Sequence, residues 1–144
     1  MKLLALDVGE RRIGVAVSDE LGLIATPLLT IRRASKVEDF ARIAGLIREQ
    51  QAQGVVIGHP LSRDGSAGPQ ARRVEKYAQA LELALRDEGL AAQVIMWDEY
   101  LSTRQAEETL AGAGRRSKAC RGRAGLDAAA AAIILREYLE ARPH

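Results

Sequence analysis

Four acidic residues stand where predicted strands end or a predicted helix begins, and they are the side chains best suited to chemistry. Asp7 ends a first apolar run, Asp98 and Glu99 end a later one, and Asp127 precedes an alanine-rich segment. Carboxylates brought together repel one another unless cations neutralise them. Magnesium prefers such oxygen ligands and leaves room for substrate phosphates. One hypothesis is therefore a divalent-metal site that acts on phosphate esters.

Each of these acids also has an ordinary structural interpretation. Aspartate is a common turn residue, so Asp7 can cap the turn that contains Gly9. Asp127 can be the N-cap of the helix that follows it, and Asp98 can simply lead into the capping pair that starts at Ser102. A carboxylate at the end of a buried strand is nevertheless costly unless a metal ion, a partner side chain or substrate-bound magnesium meets it. The residue types alone leave these alternatives open.

The apolar segments predict a mixed sheet. The predicted strands are residues 3–6, 13–17, 24–31, 55–57 and 94–97. The first three follow one another closely and can pair antiparallel, whereas the last two need helical crossovers and so lie parallel to a neighbour. Pro27 in the third strand predicts an edge strand or a bulge. Ligands of such sheets bind beyond the carboxyl ends of the parallel strands, where Asp7, His59 and Asp98–Glu99 are found.

Capping signals and apolar periodicity predict the helices. They begin at Ser35, at about Gln70, at Ser102 and near Asp127. The first opens with a capping box of Ser35 and Glu38, and Val37 belongs to its apolar face. The chain is thus predicted to be one α/β domain over residues 1–144. Its mixed five-stranded sheet has three antiparallel and two parallel strands and is flanked by helices.

Composition limits the classes of function. A content of 47% hydrophobic and 28% charged residues is typical of a globular protein, and a net charge of +2 does not by itself require a nucleic-acid partner. Aromatic residues, at 3%, are too few for stacking of many unpaired bases. The single cysteine, Cys120, suits a reducing compartment, and the apolar runs are too short for a signal peptide or a membrane span. We therefore expect a cytoplasmic protein with no membrane partner.

The acidic positions lie in motifs that resemble those of a known family. Leu6-Asp7-Val8-Gly9, followed by Arg12-Ile13-Gly14-Val15-Ala16, resembles the opening signature of the YqgF family, also called RuvX or RuvC-like, in the RNase H-like superfamily. Three further motifs follow in the family's order: Gly58-His59-Pro60-Leu61, then Asp98-Glu99-Tyr100-Leu101-Ser102-Thr103, then Leu126-Asp127 before an alanine-rich helix. The resemblance covers nearly the whole chain. It departs from the third motif at Tyr100, where the family has arginine.

This resemblance implies an RNase H-like fold and metal-dependent hydrolysis of phosphodiester bonds with two Mg²⁺ or Mn²⁺ ions. It implies that Asp7, Glu99 and Asp127 are the catalytic metal ligands. Asp98 is the alternative to Glu99, because neighbouring residues of one strand cannot both point into one site. The family's implied role is maturation of the 5′ end of precursor 16S ribosomal RNA. Holliday-junction resolution in DNA is the alternative.

Basic residues divide into a candidate nucleic-acid surface and scattered pairs. A dense cluster beside Asp127 suits binding of a nucleic-acid backbone, and Arg12 in the first turn is a further candidate. The cluster consists of Arg115, Arg116, Lys118, Arg121 and Arg123. The pairs Arg32–Arg33 and Arg72–Arg73 are expected to be solvated surface.

Two other classes of protein compete with a nuclease. A strand, an aspartate and a glycine turn also open the actin-like ATPases and sugar kinases, but those need a second domain that this length does not allow. The other is a non-catalytic module that binds RNA or the ribosome. We find no spare apolar stripe for a large interface, so we expect a monomer or a weak homodimer.

Overall fold

A mixed five-stranded sheet forms the centre of the fold. The computed structural model describes residues 1–61, 67–99 and 123–142, with backbone alone at 99 and 123–126. The strands are β1 (Leu3–Val8), β2 (Arg12–Ser18), β3 (Ala25–Arg32), β4 (Gly54–Pro60) and β5 (Gln93–Glu99). The described helices are α1 (Lys36–Gln50), α2 (Pro69–Asp87) and α3 (Arg123–Ala141). None of them combines the length and apolar character that crossing a bilayer requires.

The strand order is β3-β2-β1-β4-β5, and its three antiparallel and two parallel strands confirm the predicted mixed sheet. β1 pairs antiparallel with β2, and β2 pairs antiparallel with β3. β4 lies parallel to β1 and to β5, because α1 and α2 carry the chain back to the starting edge of the sheet. β3 is an edge strand, and its register with β2 shifts at Val15 and Ala16, so Pro27 marks both an edge and a bulge.

The sheet buries both of its faces, against different helices. Leu4, Leu6 and Val8 of β1 pack into one cluster with residues of α1 and α2. Leu3 and Ala5 point the other way and pack into a second cluster with residues of α3. This alternation is the period of two of an extended strand. It means that the parity of a position in β1 decides which helices its side chain meets.

The start of α1 agrees with the predicted capping, but its apolar face does not. The Glu38 backbone N–H donates to Ser35 Oγ at 3.2 Å, which is half of the predicted capping box. Val37, however, is 80% exposed, so its assignment to the apolar face is wrong. It lies about 120° around the helix axis from the buried Ile43. Asp39 is buried instead, which the apolar pattern does not indicate.

α3 begins four residues earlier than predicted. Its first residue is Arg123, so Asp127 lies in the second turn and is not the N-cap. Arg123 likewise belongs to this helix and not to a loop. An aspartate before an alanine run has the pattern of an N-cap, but packing of the helix on the sheet extends it past that point. The predicted helix from Ser102 and the cluster from Arg115 to Arg121 lie outside the described residues.

Candidate metal-binding active site

Asp7 lies near the carboxyl end of β1, on the face that α3 covers. It follows Leu3 and Ala5 at intervals of two, and both of these side chains pack against α3. The strand ends one residue later, and the Gly9 backbone N–H donates to the Arg12 carbonyl at 2.8 Å to close the turn. Asp7 is therefore held by a strand with a paired neighbour on each side. A carboxylate at such a position has little freedom to move away from its surroundings.

Gly14 brings a second carboxylate to Asp7. In the β1–β2 ladder, Gly14 is the residue directly opposite Asp7. A Cβ atom at Gly14 would overlap the backbone carbonyl of Asp127, so the backbone of α3 passes directly over the backbone of β2 at this point. Only glycine allows so close an approach. The packing places Asp127, from the last described helix, beside Asp7 from the first strand.

The two carboxylates interact. Burial and, to a smaller extent, the nearby negative charge of Asp127 together raise the pKa of Asp7 from 3.8 to about 6. Two carboxylates that share a partly buried site are hard oxygen ligands of the kind Mg²⁺ and Mn²⁺ prefer. The donor set therefore fits a divalent cation. Within the described side chains no group of three metal-ligating residues is found, and the side chain of Glu99 is not among them.

Asp98 lies on the opposite face of the sheet from Asp7. Val94 and Met96, at intervals of two before it in β5, pack into the cluster of α1 and α2. Its Oδ1 is 3.1 Å from Nδ1 of His59, the residue directly opposite in β4. The His59 Nε2 is 2.8 Å from Oε1 of Glu75 on α2. Asp98 thus takes part in a link between the sheet and α2, on the far side of the sheet from Asp127.

Arg12 shares the face of Asp7 and Asp127. It lies two residues before Gly14 in β2, so strand alternation puts it on that face of the sheet, and it is partly buried. Of the predicted nucleic-acid-binding residues, it is the one whose side chain the structure describes. Arg123 is described by its backbone alone, and Arg115, Arg116, Lys118 and Arg121 lie outside the described residues.

The sequence interpretation missed an ordered cation on the other face. Arg33 was expected to be solvated, but its side chain is only 26% exposed and lies 3.6 Å from the buried carboxylate of Asp39. It also donates to the Gly9 carbonyl at 2.8 Å and lies 4.8 Å from the ring centroid of Tyr77. The available signal was the acidic Asp39 one turn before Ile43 in the apolar face of α1. Arg33 therefore stabilises the turn that follows Asp7 from the face of the sheet that α1 and α2 cover.

Comparisons with known proteins identify the family of the chain. Residues 1–141 match the family described as "RuvX: Holliday junction resolvase". A protein of Synechococcus sp. (strain JA-2-3B'a(2-13)) named "Putative pre-16S rRNA nuclease" is 46% identical over 142 residues, which are 99% of this chain and 79% of that protein. A protein of the same name from Syntrophus aciditrophicus (strain SB) is 45% identical over 141 residues, 98% of this chain and 89% of that one.

A solved structure shows the same fold at low sequence identity. RuvC of T. thermophilus in complex with a Holliday junction substrate superposes with a TM-score of 0.60 at 18% identity, covering 98% of this chain and 95% of that one. The fold is therefore the RuvC-like form of the RNase H-like fold. With a family match over nearly every residue, the chain belongs to the RuvX family.

Proposed function

We propose that this protein is a metal-dependent nuclease that hydrolyses phosphodiester bonds in the 5′ extension of precursor 16S ribosomal RNA. The observation that carries this proposal is the pairing of Asp7 with Asp127 across the Gly14 contact. Relatives about 45% identical bear the name of such a nuclease, which supports the choice of RNA as substrate. We assign this activity to the cytoplasm, where precursor ribosomal RNA is found in bacteria.

Asp7, Glu99 and Asp127 are the proposed metal ligands and catalytic residues. Residues two apart in a strand share a face, and Glu99 comes two residues after Trp97, which packs on the face of α3. Asp98 faces the other way, toward His59, and this favours Glu99 over Asp98. When bound, two Mg²⁺ or Mn²⁺ ions supply an activated water and stabilise the leaving oxygen of the phosphodiester.

The remaining residues of the proposal hold the substrate. We assign to Arg12, which lies on the same face of the sheet as Asp7, the binding of a phosphate group of the substrate. The basic residues Arg115, Arg116, Lys118, Arg121 and Arg123 would add contacts to the nucleic-acid backbone, since phosphate contacts supply most of the sequence-independent affinity. Their effect should therefore weaken as the salt concentration rises.

Cleavage by matched variants tests the proposal. Asp7→Asn and Asp127→Asn should each reduce cleavage of a precursor RNA fragment by more than about 100-fold, because even losing a residue that merely supports a metal ligand costs 10- to 100-fold. Asp98→Asn is the control, since it removes the carboxylate next to Glu99 in β5, which lies on the face of the sheet opposite to Asp7 and Asp127. It should keep cleavage within about threefold of wild type, a change of less than about 1 kcal/mol. Chelation with EDTA should abolish cleavage by every variant.

Junction resolution is the second candidate, because the matching family is described by that activity. The same variants should therefore also be assayed on a synthetic four-way DNA junction. Paired, symmetric nicks in the junction with no action on the RNA would replace the proposed substrate. Full activity of Asp7→Asn on both substrates would reject the catalytic assignment and favour the non-catalytic binding module.

A further inference from the structure

A small cleft lies behind the turn that follows Asp7, on the face of the sheet that α1 and α2 cover. Its volume is about 240 Å³. Its wall is formed by the end of β1, the start of α1 and the first three turns of α2. The lining residues that matter here are Val8, Arg33, Lys36, Arg73, Val74 and Lys76. We call it the α1–α2 cleft. It is separate from the face on which Asp7 and Asp127 meet.

The charge of the α1–α2 cleft is strongly positive. Four cations line it, whereas the one acidic residue of the lining is Glu10, which lies 3.7 Å from Arg73 in an exposed pair. Such exposed pairs contribute little, so Glu10 does not cancel the local field. Arg33 is balanced by Asp39, but within the described residues neither Lys36 nor Lys76 makes an ion pair. The mouth of the cleft therefore attracts an anion.

The wall of the cleft is apolar. Val8 and Val74 are both more than 90% buried and present aliphatic surface, and the ring of Tyr77 lies behind Arg33. A volume of this size is below the usual range for drug-sized ligands and suits a single flat ring system with one charged group at the entrance. An apolar slot with cations at its rim is the complement of a nucleotide, with the base inside and the phosphate outside.

The cleft and the candidate active site share one strand end. Asp7 and Val8 are neighbours in β1 and point to opposite faces, and Gly9 next to them carries no side chain. Arg33 donates to the Gly9 carbonyl and so stabilises the turn that separates the two sites. A nucleic-acid strand that crosses this turn can contact both sites at once.

We infer that the α1–α2 cleft binds one unpaired nucleotide that flanks the scissile bond of the RNA substrate. This rests on the proposed function for the identity of the substrate. A fully paired duplex keeps its bases stacked and presents only phosphates, whereas an unpaired nucleotide can turn its base into a slot. The cleft thereby selects cleavage positions next to single-stranded RNA.

Binding without metal tests this inference apart from cleavage. In EDTA, the affinity of a single-stranded RNA of about 12 nucleotides would be measured by anisotropy over a range of salt concentrations. The variant Lys36→Gln/Lys76→Gln should flatten the salt dependence by about 1.4, because each lost contact to a single strand removes about 0.7 from the slope. If the variant and wild type bind equally at 1 M salt, this difference in slope makes the variant bind about 25-fold more weakly at 0.1 M salt. Glu10→Gln should change the affinity in the opposite direction.

The control variant is Arg42→Gln/Arg72→Gln, which also removes one exposed cation from α1 and one from α2 but leaves the cleft lining unchanged. It should lower the affinity by less than about threefold, as an effect of net charge alone. The cleft variant should also weaken binding of a blunt RNA duplex far less than binding of the single strand. An equal loss in both double variants, or an equal loss on duplex and single strand, would overturn the inference. Because no metal or cleavage is involved, its failure is distinguishable from failure of the proposed function.

Discussion

The carboxyl group of Asp7 shapes the pH dependence of the protein. Its pKa of about 6 in the folded protein exceeds the ordinary value of 3.8, so the folded protein binds more protons than the unfolded chain between these two pH values. The free energy of unfolding therefore falls as the pH rises through this window. At 1.4 kcal/mol per pKa unit, the full cost above pH 6 is at most about 3 kcal/mol. A bound cation offsets this cost because it favours the charged form.

Asp7→Asn should consequently stabilise the metal-free protein. At pH 8 in EDTA, urea unfolding should give a free energy of unfolding up to about 3 kcal/mol higher than wild type, and the difference should vanish near pH 3.5. Added Mg²⁺ should stabilise wild type and have less effect on the variant. A variant that is less stable than wild type at pH 8 would instead assign Asp7 a turn-capping role.

Asp19→Asn is the control with the opposite sign. Hydrogen bonds from the backbone N–H groups of Ile24 and Leu23 lower the pKa of Asp19, so its carboxylate contributes stability above its ordinary pKa and loses it as the pH falls. Its replacement should lower the stability at pH 8, and this deficit should shrink in acid. The two variants together separate burial of a charge from its hydrogen bonding.

At the scale of elements, the contact between β2 and α3 sets the geometry of the candidate site. Two backbones touch at Gly14, and this contact fixes the height of Asp127 above the sheet. α3 also packs Ala131, Ile134 and Leu135 against the same face, so the helix cannot rise at one end without losing burial along its length. The position of the second carboxylate is therefore a property of the whole helix.

Gly14→Ala should damage both stability and catalysis. The added methyl group meets backbone that cannot move aside cheaply, and we expect a loss of about 1–3 kcal/mol in the free energy of unfolding. A shift of α3 by about 1 Å should cost cleavage about 100-fold. Urea unfolding and RNA cleavage by the same preparation measure the two effects.

Gly45→Ala is the matched control for this change. Gly45 lies inside α1, and a Cβ there meets nothing within 4 Å. We expect this variant to gain about 0.5–1 kcal/mol, because alanine is the better helix former, and to cleave as wild type does. Full cleavage by Gly14→Ala would show that the β2–α3 contact does not determine where Asp127 lies.

At the scale of the whole molecule, the large exposed apolar side chains of residues 1–61, 67–98 and 127–142 are few. The large exposed hydrophobic side chains of the described residues include Leu21, Leu23 and Ile24, which lie together in the β2–β3 connection, while Val37 and Leu83 stand alone. A stable dimer buries more than about 1,000 Å², which such a short connection does not provide. A junction resolvase, by contrast, needs two active sites related by a two-fold axis.

We therefore expect a monomer, or a weak homodimer, in solution. Light scattering at micromolar concentration should give a mass near 15.6 kDa. Leu21→Ser/Leu23→Ser should leave that mass unchanged if the connection is not an interface. A concentration-independent dimer in wild type that the double variant dissociates would contradict this expectation and strengthen the case for the junction substrate.

The sequence predicted the sheet well because its signals are local. The apolar runs, the glycine turns and the two helical crossovers predict the number of strands and which of them run parallel without knowledge of distant contacts. The features that escaped prediction all depend on contacts between distant segments. The buried Asp39 lies against Arg33, which also binds the turn at Gly9, and α3 meets β2 where Asp127 passes over Gly14. Strand alternation predicts that Asp98 and Glu99 point to opposite faces of the sheet. Only the contact of Asp98 with His59 shows which face Asp98 takes.

The aromatic contact between β5 and α3 allows the docking of α3 to be followed by tryptophan fluorescence. Trp97 is the single tryptophan of the chain, and its ring meets that of Tyr138 edge to face, with centroids 5.7 Å apart. Asp7 and Asp127 come from opposite ends of the chain, so closing a long loop must precede their meeting. Because Trp97 packs on the face of α3, we expect its emission to change when α3 docks and to change little when α1 and α2 pack on the other face. In a stopped-flow refolding experiment, the change in intrinsic fluorescence should therefore coincide with the step that brings the two carboxylates together.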